Sequence, residues 1–549
     1  MTEYRGKSVF EGIAVGKLKI VRHDNAVAVH EQGTPEEERK KFYAAREKAV
    51  SELQSLYEQA LATVGESEAE IFSMHAMMTE DADLEDAVLA KIDASEGAAQ
   101  AAEEAGFELS QTFIRMDDEY MRARAVDVID VAKRLSGYIL GKKEEEILLN
   151  EPSILASSDF TPSEVVKLDK SKVLGFVTTF GSETSHTSIL ARTLALPSVV
   201  NIRDSIDMPF DGKTCIVDGF TGKVIVDPDE ETLSLYLKKK AETDAARERR
   251  QALIGQKSVT QDGREVRIYC NVGNSEDVKA ALQNDGEGVG LLRSEFLYLE
   301  SEDYPSEEKQ YQEYSRAAKL LEGKLLVIRT MDIGADKQAS YFHLPHEENP
   351  ALGMRSVRIC MDRPEILYTQ LRAIYRASAD GNVAAMVPMI ISGAEVRWVR
   401  QMAEKVRADL KKEGIPFDEK MQIGIMIETP AAALIADELA KEADFFSIGS
   451  NDLIQYTLAA DRQNQSLEKF VDPHHKAVLR LIRYAAECAH AEGKWIGVCG
   501  ELARDLSLTE FFAACGIDEL SVSPPYVLPL REKLLSVNVS KTDLDKYTK

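Results

Sequence analysis

Four arginines, a pair of carboxylates and one cysteine gather around the ends of short apolar runs in the C-terminal half of the chain. Arg293 closes GVGLLRS, Arg329 closes LLVIRT and Glu428 closes QIGIMIE. Asn451 and Asp452 follow DFFSIGS, and Cys499 lies at the end of KWIGVCG. Lys337, Arg355 and Arg462 stand in the connecting segments. Guanidinium groups bind carboxylate and phosphate through paired N–H donors. Glu428 and Asp452 offer hard oxygen ligands of the kind Mg²⁺ takes, and Mg²⁺ commonly keeps a substrate phosphate in its shell. Together these groups ask for a small, strongly anionic, phosphorylated carboxylate. Singly, each arginine also fits a surface ion pair and each carboxylate a solvated side chain. Cys499, at a strand end rather than inside one, fits a proton donor and a buried small residue equally.

A second focus is GSETSHTSILARTLALPS, which begins at Gly181. The glycine and the Ser/Thr cluster predict a loop, and Thr187 onward predicts a helix start. His186 then sits at a helix N-terminus, where free N–H groups and the dipole favour an anion. A neutral imidazole there can act as a nucleophile and carry a phosphoryl group. A capped loop holding a hydrogen-bonded histidine fits the same residues. The other histidines show no metal spacing, and His474-His475 reads as a structural or surface pair. DGEGVG, from Asp285, reads either as a weak phosphate loop or as the turn at a strand entrance.

If the polar groups of the C-terminal half are to meet, parallel strands must deliver them to one rim. Eight runs qualify as strands: VRIYCN, GVGLLRS, LLVIRT, VAAMVPM, QIGIMIE, DFFSIGS, KWIGVCG and DELSVS. They alternate with helical stretches such as PEILYTQLRAIYRAS. Eight β-then-α units over residues 262–549 predict a (β/α)₈ TIM barrel, whose chemistry collects at the carboxyl ends of the strands. An open doubly wound sheet is the rival. Upstream, residues 1–30 plus 145–230 predict a compact α/β domain, with KTCIVDG and KVIVD paired as a hairpin around DGFTGK. Residues 31–144 predict an inserted bundle of antiparallel helices, opened by the cap signal Thr34-Pro35-Glu36-Glu37. Residues 231–261 predict a charged linker helix without a wide apolar face. The expected fold is multidomain α/β: a helical-bundle insert in an α/β domain, then the barrel.

The chain has 549 residues, more than one core supports. A formal net charge of −26 repels phosphate backbones, so no nucleic-acid partner is expected. No apolar run is long enough to span a bilayer, and MTEYRGKSVFEGIAVG lacks the order of a signal peptide. Six scattered cysteines without a CxxC pair suit a reducing cytoplasm.

GSETSHTSILARTLALPS resembles the phosphohistidine loop of the phosphoenolpyruvate-utilising enzymes. GVGLLRSEFLY, VIRTMDIGADK, NPALGMRSVR, GIMIETPAAA, FFSIGSNDLIQYTLAADR and GVCGELA resemble their barrel motifs, in family order. YMRARAVDVIDVAKRL and the helical block are similar to the branch serving the bacterial sugar phosphotransferase system. The resemblance implies phosphoenolpyruvate and Mg²⁺ at the barrel mouth, with Glu428 and Asp452 as metal ligands. It implies that Arg293, Arg329, Lys337, Arg355, Asn451 and Arg462 hold substrate. It implies that His186 takes the phosphoryl group and that Cys499 protonates the enolate to give pyruvate. The phosphoryl group would pass to a histidine of the carrier HPr, docked on the helical block, and the barrel would form a homodimer. Glu66, Glu68, Glu70, Glu80, Asp81, Asp83, Glu85 and Asp86 offer an acidic face to steer a basic carrier, or a merely solvated one. Departures from the family pattern are Glu183, before the histidine, GADK where GGDK is common, and Arg504, after the cysteine. The nitrogen-related paralogue and a non-catalytic HPr-binding regulator are the alternative readings.

Overall fold

The computed structural model describes residues 1–22, 33–63, 66–94, 96–114, 119–141, 147, 149–181, 186–193, 196–202, 204, 206, 208–299, 301–334, 340–462 and 464–549. The chain forms two compact units, Met1–Ala246 and Arg247–Lys549.

The first unit starts with β1 (Thr2–Arg5), β2 (Lys7–Phe10) and β3 (Ile13–Ile20). Five helices follow: α1 (Pro35–Thr63), α2 (Glu66–Thr79), α3 (Ala82–Asp93), α4 (Ala98–Ile114) and α5 (Glu119–Ile139). The entrance of α1 is a capping box. The Thr34 hydroxyl accepts from the Glu37 N–H at 3.4 Å, and the Glu37 carboxylate accepts from the Thr34 N–H at 2.8 Å. Small residues set the spacing of the bundle. Ala98, Ala101, Ala102 and Ala105 are buried along α4. A Cβ on Gly106 would lie 2.2 Å from that of Ala132, so α4 and α5 approach as closely as backbones allow there.

The chain then returns through β4 (Ser153–Ser157), α6 (Pro162–Lys167), β5 (Val173–Thr178), α7 (His186–Thr193), β6 (Ser198–Val200), β7 (Thr214–Asp218) and β8 (Lys223–Val226). These strands and the first three make one sheet, in the order β1-β8-β7-β3-β4-β5-β6-β2. β7 and β8 pair antiparallel, as the hairpin signal predicts. Asp218 closes that turn by accepting from the N–H groups of Phe220 and Thr221. The charged α8 (Glu230–Gln251) buries only Tyr236 among its described residues.

The second unit is the closed parallel barrel. Its strands are β9 (Arg267–Val272), β10 (Val289–Arg293), β11 (Leu326–Arg329), β12 (Val383–Val387), β13 (Ile423–Ile427), β14 (Phe445–Ile448), β15 (Trp495–Val498) and β16 (Glu519–Val522). All eight runs read from the sequence are strands of this barrel, and the open sheet is excluded. Alternation splits the apolar residues into two layers. One packs outward under the helices, with Ile268, Ile328, Ile425, Ile448 and Leu520 among its members. The other fills the barrel interior with Leu291, Val327, Ala384, Met386, Met426, Phe445 and Cys499. DGEGVG forms the turn at the entrance of β10. Asp285 adopts φ 63°, the Gly286 N–H bonds the Ala281 carbonyl, and the buried Arg531 fixes Asp285 and Glu287.

Candidate active site at the barrel rim

The rim holds a ladder of alternating charges. Arg329, the last residue of β11, is buried and donates to Glu295 at 3.0 Å and to Asp332 at 3.1 Å. Arg355 donates from Nε and Nη2 to the two oxygens of Asp332, both at 2.9 Å. Its Nη1 reaches Asp452 at 3.1 Å and the Tyr456 hydroxyl at 3.1 Å. Arg462 closes the series with a looser contact to Asp452 at 3.4 Å. The buried carboxylates hold the Arg329 and Arg355 guanidinium groups more firmly protonated than usual, against the cost of their burial.

Glu428 follows β13 and is fully buried. Its Oε1 accepts from the Met389 N–H at 2.5 Å. Its Oε2 is buried and has no hydrogen-bond partner among the described residues. Gly449 leaves room for that oxygen, since a Cβ there would stand 2.7 Å from it. Burial, with Asp452 and Asp332 nearby, raises the Glu428 carboxyl to about 8. A cation between Glu428 and Asp452 would relieve both the missing partner and the like-charge repulsion, so this donor set fits Mg²⁺. Among the described residues no three His, Cys, Asp or Glu side chains form a complete cation cage. Mg²⁺ suits the partial set, because it takes one or two carboxylates and completes its shell with water and substrate oxygens.

Helix Ser450–Leu458 carries Asn451 and Asp452 in its first turn. The Asn451 side-chain Oδ1 accepts from the Glu501 N–H at 2.9 Å, tying this helix to the segment after β15. Cys499 opens that loop. Its N–H bonds the Ile448 carbonyl at 3.1 Å, and its buried thiol is pushed up to about 12 by desolvation. A thiol so placed keeps its proton at neutral pH. Arg293 is exposed at the end of β10 and, among the described residues, has no ion-pair partner.

The structure thus brings Arg329, Arg355, Asp452 and Arg462 into one bonded chain, with Glu428 beside it. Arg293 closes β10, Asn451 follows β14 in the first turn of its helix, and Cys499 follows β15, all at the carboxyl ends of barrel strands. Lys337 and Glu183 lie outside the described residues. Of His186 only the backbone is described; it is the first residue of α7, one position earlier than the predicted helix start. The next residue, Thr187, is buried and donates to Asp159 at 2.8 Å. Two members of the charge ladder, Glu295 and Asp332, were not singled out as site residues by the sequence reading. Arg504 is turned to Glu501 at 2.7 Å and stacks over Tyr526, so its charge is balanced within its own loop. His474 bonds Asp505, and His475 caps helix Lys476–Ala491, which makes the pair structural.

Three family models cover nearly all of the chain. Residues 5–124 match the N-terminal domain of the PEP-utilising enzymes, 149–222 their mobile domain and 247–539 their PEP-binding domain. The chain belongs to the PEP-utilising enzyme family. Among its relatives, a phosphoenolpyruvate-protein phosphotransferase of Priestia megaterium is 40% identical over 99% of this chain and 95% of its own length. Proteins of that name from Bacillus subtilis and Haemophilus influenzae are 39% and 41% identical, over 99% and 96% of this chain and 96% and 92% of their own lengths. The family's PEP-binding domain coincides with the barrel whose rim bears the charge ladder. Its mobile domain contains α7. No described helix is long and apolar enough to cross a membrane.

Proposed function

We propose that this protein takes the phosphoryl group of phosphoenolpyruvate onto His186 and passes it to a histidine of an HPr-like carrier, releasing pyruvate. This would be the entry step of a sugar phosphotransferase system. One observation carries the reading. In a chain about 40% identical, end to end, to phosphoenolpyruvate-protein phosphotransferases, a barrel rim gathers fixed cations with Asp452 and Glu428, and among the described residues Glu428 Oε2 has no hydrogen-bond partner.

Each residue has a physical task in this reaction. Arg293, Arg329, Arg462, Lys337 and Asn451 bind the phosphate and carboxylate of the substrate and fix the phosphorus in line with the imidazole. Arg355 has its nitrogens committed to Asp332, Asp452 and Tyr456, so it aims the Asp452 carboxylate. Glu428 and Asp452 would hold Mg²⁺, which supplies charge neutralisation on the transferred group. As the bridging P–O bond breaks, an N–P bond forms at His186 and the enolate of pyruvate is left at the rim. Cys499 gives its thiol proton to the methylene carbon, forming the methyl group of pyruvate and leaving a thiolate. His186 must serve both the rim and the carrier, and it belongs to the unit that carries the helical bundle. Docking of the carrier on that bundle, a homodimer made through the barrel and residence in the cytoplasm complete the reading.

The test is labelling with radioactive phosphoenolpyruvate and Mg²⁺, beside a His186→Ala variant. Label that is acid-labile, alkali-stable and absent from the variant is expected. Wild-type protein that binds phosphoenolpyruvate yet takes up no label would replace this reading with that of a non-catalytic HPr-binding regulator.

A further inference from the structure

The barrel interior contains a polar column that the rim chemistry does not use. Glu519, the first residue of β16, is buried at the amino end of its strand. It pairs in register with Gly497 of β15, and Gly497 pairs with Ser447 of β14. Residues paired in a parallel sheet share a face, and so do residues two apart on one strand. Ser447, Gly497, Glu519, Cys499 and Ser521 therefore face the same way. That way is the interior, because Phe445 and Cys499 belong to the inner layer.

Glycines make the room for this column. A Cβ on Gly497 would overlap the Glu519 carboxylate at 1.8 Å. A Cβ on Gly290 of β10 would stand 2.5 Å from Glu519 Oε1 and 2.7 Å from Ser521 Oγ. An interior layer of this kind is ordinarily filled by branched apolar side chains. Here the space goes to a carboxyl group. Four polar atoms along the column are buried and, among the described residues, have no hydrogen-bond partner: Glu519 Oε1, Ser521 Oγ, Ser447 Oγ and Asn271 Oδ1. Asn271 is anchored by its amide, which donates to the carbonyls of Cys499 at 3.1 Å and Ser521 at 3.2 Å. Buried polar atoms are seldom left unmatched, and internal water is their usual partner.

We infer that Glu519 is a proton reservoir for Cys499, joined to it through the Ser447 hydroxyl and ordered water inside the barrel. Cys499 lies two residues beyond the register partner of Glu519, a rise of about 7 Å. One hydroxyl and one or two waters bridge such a gap with ordinary hydrogen bonds. The inference rests on the reading of Cys499 as the proton donor. That reading leaves a thiolate after each turnover, and a thiolate in an apolar interior is costly. The Glu519 carboxylic acid releases its proton, the chain hands one on to Cys499 Sγ, and the carboxylate recovers a proton from solvent. Arg267, exposed at the start of β9 and in register with Glu519, marks the solvent end of the column.

The groups around Glu519 favour its neutral form. Burial and Asp518 raise its carboxyl far above the usual range, while Arg267 and Ser521 oppose them. Tyr269, Cys270 and Cys499, the other titratable groups that sense it, are themselves raised by burial and are neutral near pH 7.

The experiment uses the full-length protein with Mg²⁺ and pyruvate in D₂O, and follows deuterium entering the pyruvate methyl group by proton NMR. Single-turnover transfer of label from phosphoenolpyruvate is measured beside it. Glu519→Gln is expected to lower the ratio of exchange to label transfer at least tenfold, and Ser447→Ala to lower it in the same direction. A merely structural role would slow both processes together and leave the ratio unmoved. Cys499→Ala that still exchanges at the wild-type rate would overturn the reading on which the relay rests. Cys499→Ala inert, with Glu519→Gln at the wild-type ratio, would overturn the relay alone. Should Glu519→Gln not fold, Ser447→Ala decides, and a wild-type ratio in that variant also overturns the relay.

Discussion

Arg355 grips Asp332 with two parallel hydrogen bonds of 2.9 Å, and both side chains are withdrawn from solvent. Asp332 also receives Arg329, so one carboxylate balances two buried guanidinium groups. Removing one partner of a buried pair leaves an uncompensated charge and costs about 3–5 kcal/mol. Asp332→Ala is therefore expected to destabilise the barrel by about that amount. Both tryptophans, Trp398 and Trp495, lie in the second unit, so their fluorescence during urea unfolding reports on it alone. A variant barrel as stable as the wild type would show that this pair does not hold the rim together.

Arg293 is the opposite case. It is exposed, and among the described residues no ion pair engages it. Arg293→Ala is expected to change stability by less than about 0.5 kcal/mol. In the proposed reaction its bonds run to an anionic substrate, and hydrogen bonds to charged groups are worth about 1.5–3 kcal/mol. The KM for phosphoenolpyruvate should therefore rise roughly ten- to a hundredfold. Steady-state assays and urea unfolding on one preparation separate the two effects. A variant with wild-type KM would remove Arg293 from the substrate site.

The difference between these two arginines was not legible in the sequence. Strand ends were, because alternation and β-branched runs mark all eight barrel strands, and rim residues follow from strand direction. The sequence thus placed Arg293 and Arg329 alike, each closing a strand. Their environments diverge because Glu295 and Asp332 arrive from the segments after two different strands, and no local pattern announces such a meeting. Glu519 was missed for another reason. It sits at the start of its strand, where rim logic does not look. A signal existed in Gly290 and Gly497, glycines inside strand patterns, which mark places where something comes close.

Glu519 should also leave a mark on stability. Its folded carboxyl is raised well above the usual value. Below the unfolded pKa the group is protonated in both states and contributes no pH dependence. Above it the unfolded chain ionises while the folded barrel keeps the proton, so stability falls as pH rises. The fall continues until the folded carboxyl itself ionises, at a limiting slope of about 1.4 kcal/mol per pH unit. Glu519→Gln removes this term. Its stability relative to wild type is expected to climb steadily between about pH 5 and pH 8. Urea unfolding at a series of pH values measures the trend. A flat difference would mean that Glu519 is ionised in the folded protein, and would also weaken its candidacy as a proton store.

The helical bundle makes a separate prediction about the carrier. Its acidic residues are not equivalent. Asp81 caps α3 through the N–H groups of Asp83 and Leu84, and Glu85 is held by Arg46 and Tyr43. Asp83 and Asp86 are exposed and make no ion pair among the described residues. The side chains of Glu66 and Glu68 lie outside the described set. If the bundle steers a basic carrier, Asp83 and Asp86 contribute free charge, whereas Asp81 and Glu85 are occupied within the fold. Asp83→Asn with Asp86→Asn should slow association of HPr roughly threefold or more at low ionic strength. The deficit should vanish near about 1 M salt, where screening acts within about 3 Å. Glu85→Gln should instead lower bundle stability by loosening Arg46. Stopped-flow association across a salt series tests the pair. An on-rate for the double variant equal to wild type at low salt would assign this acidic face to solvation alone.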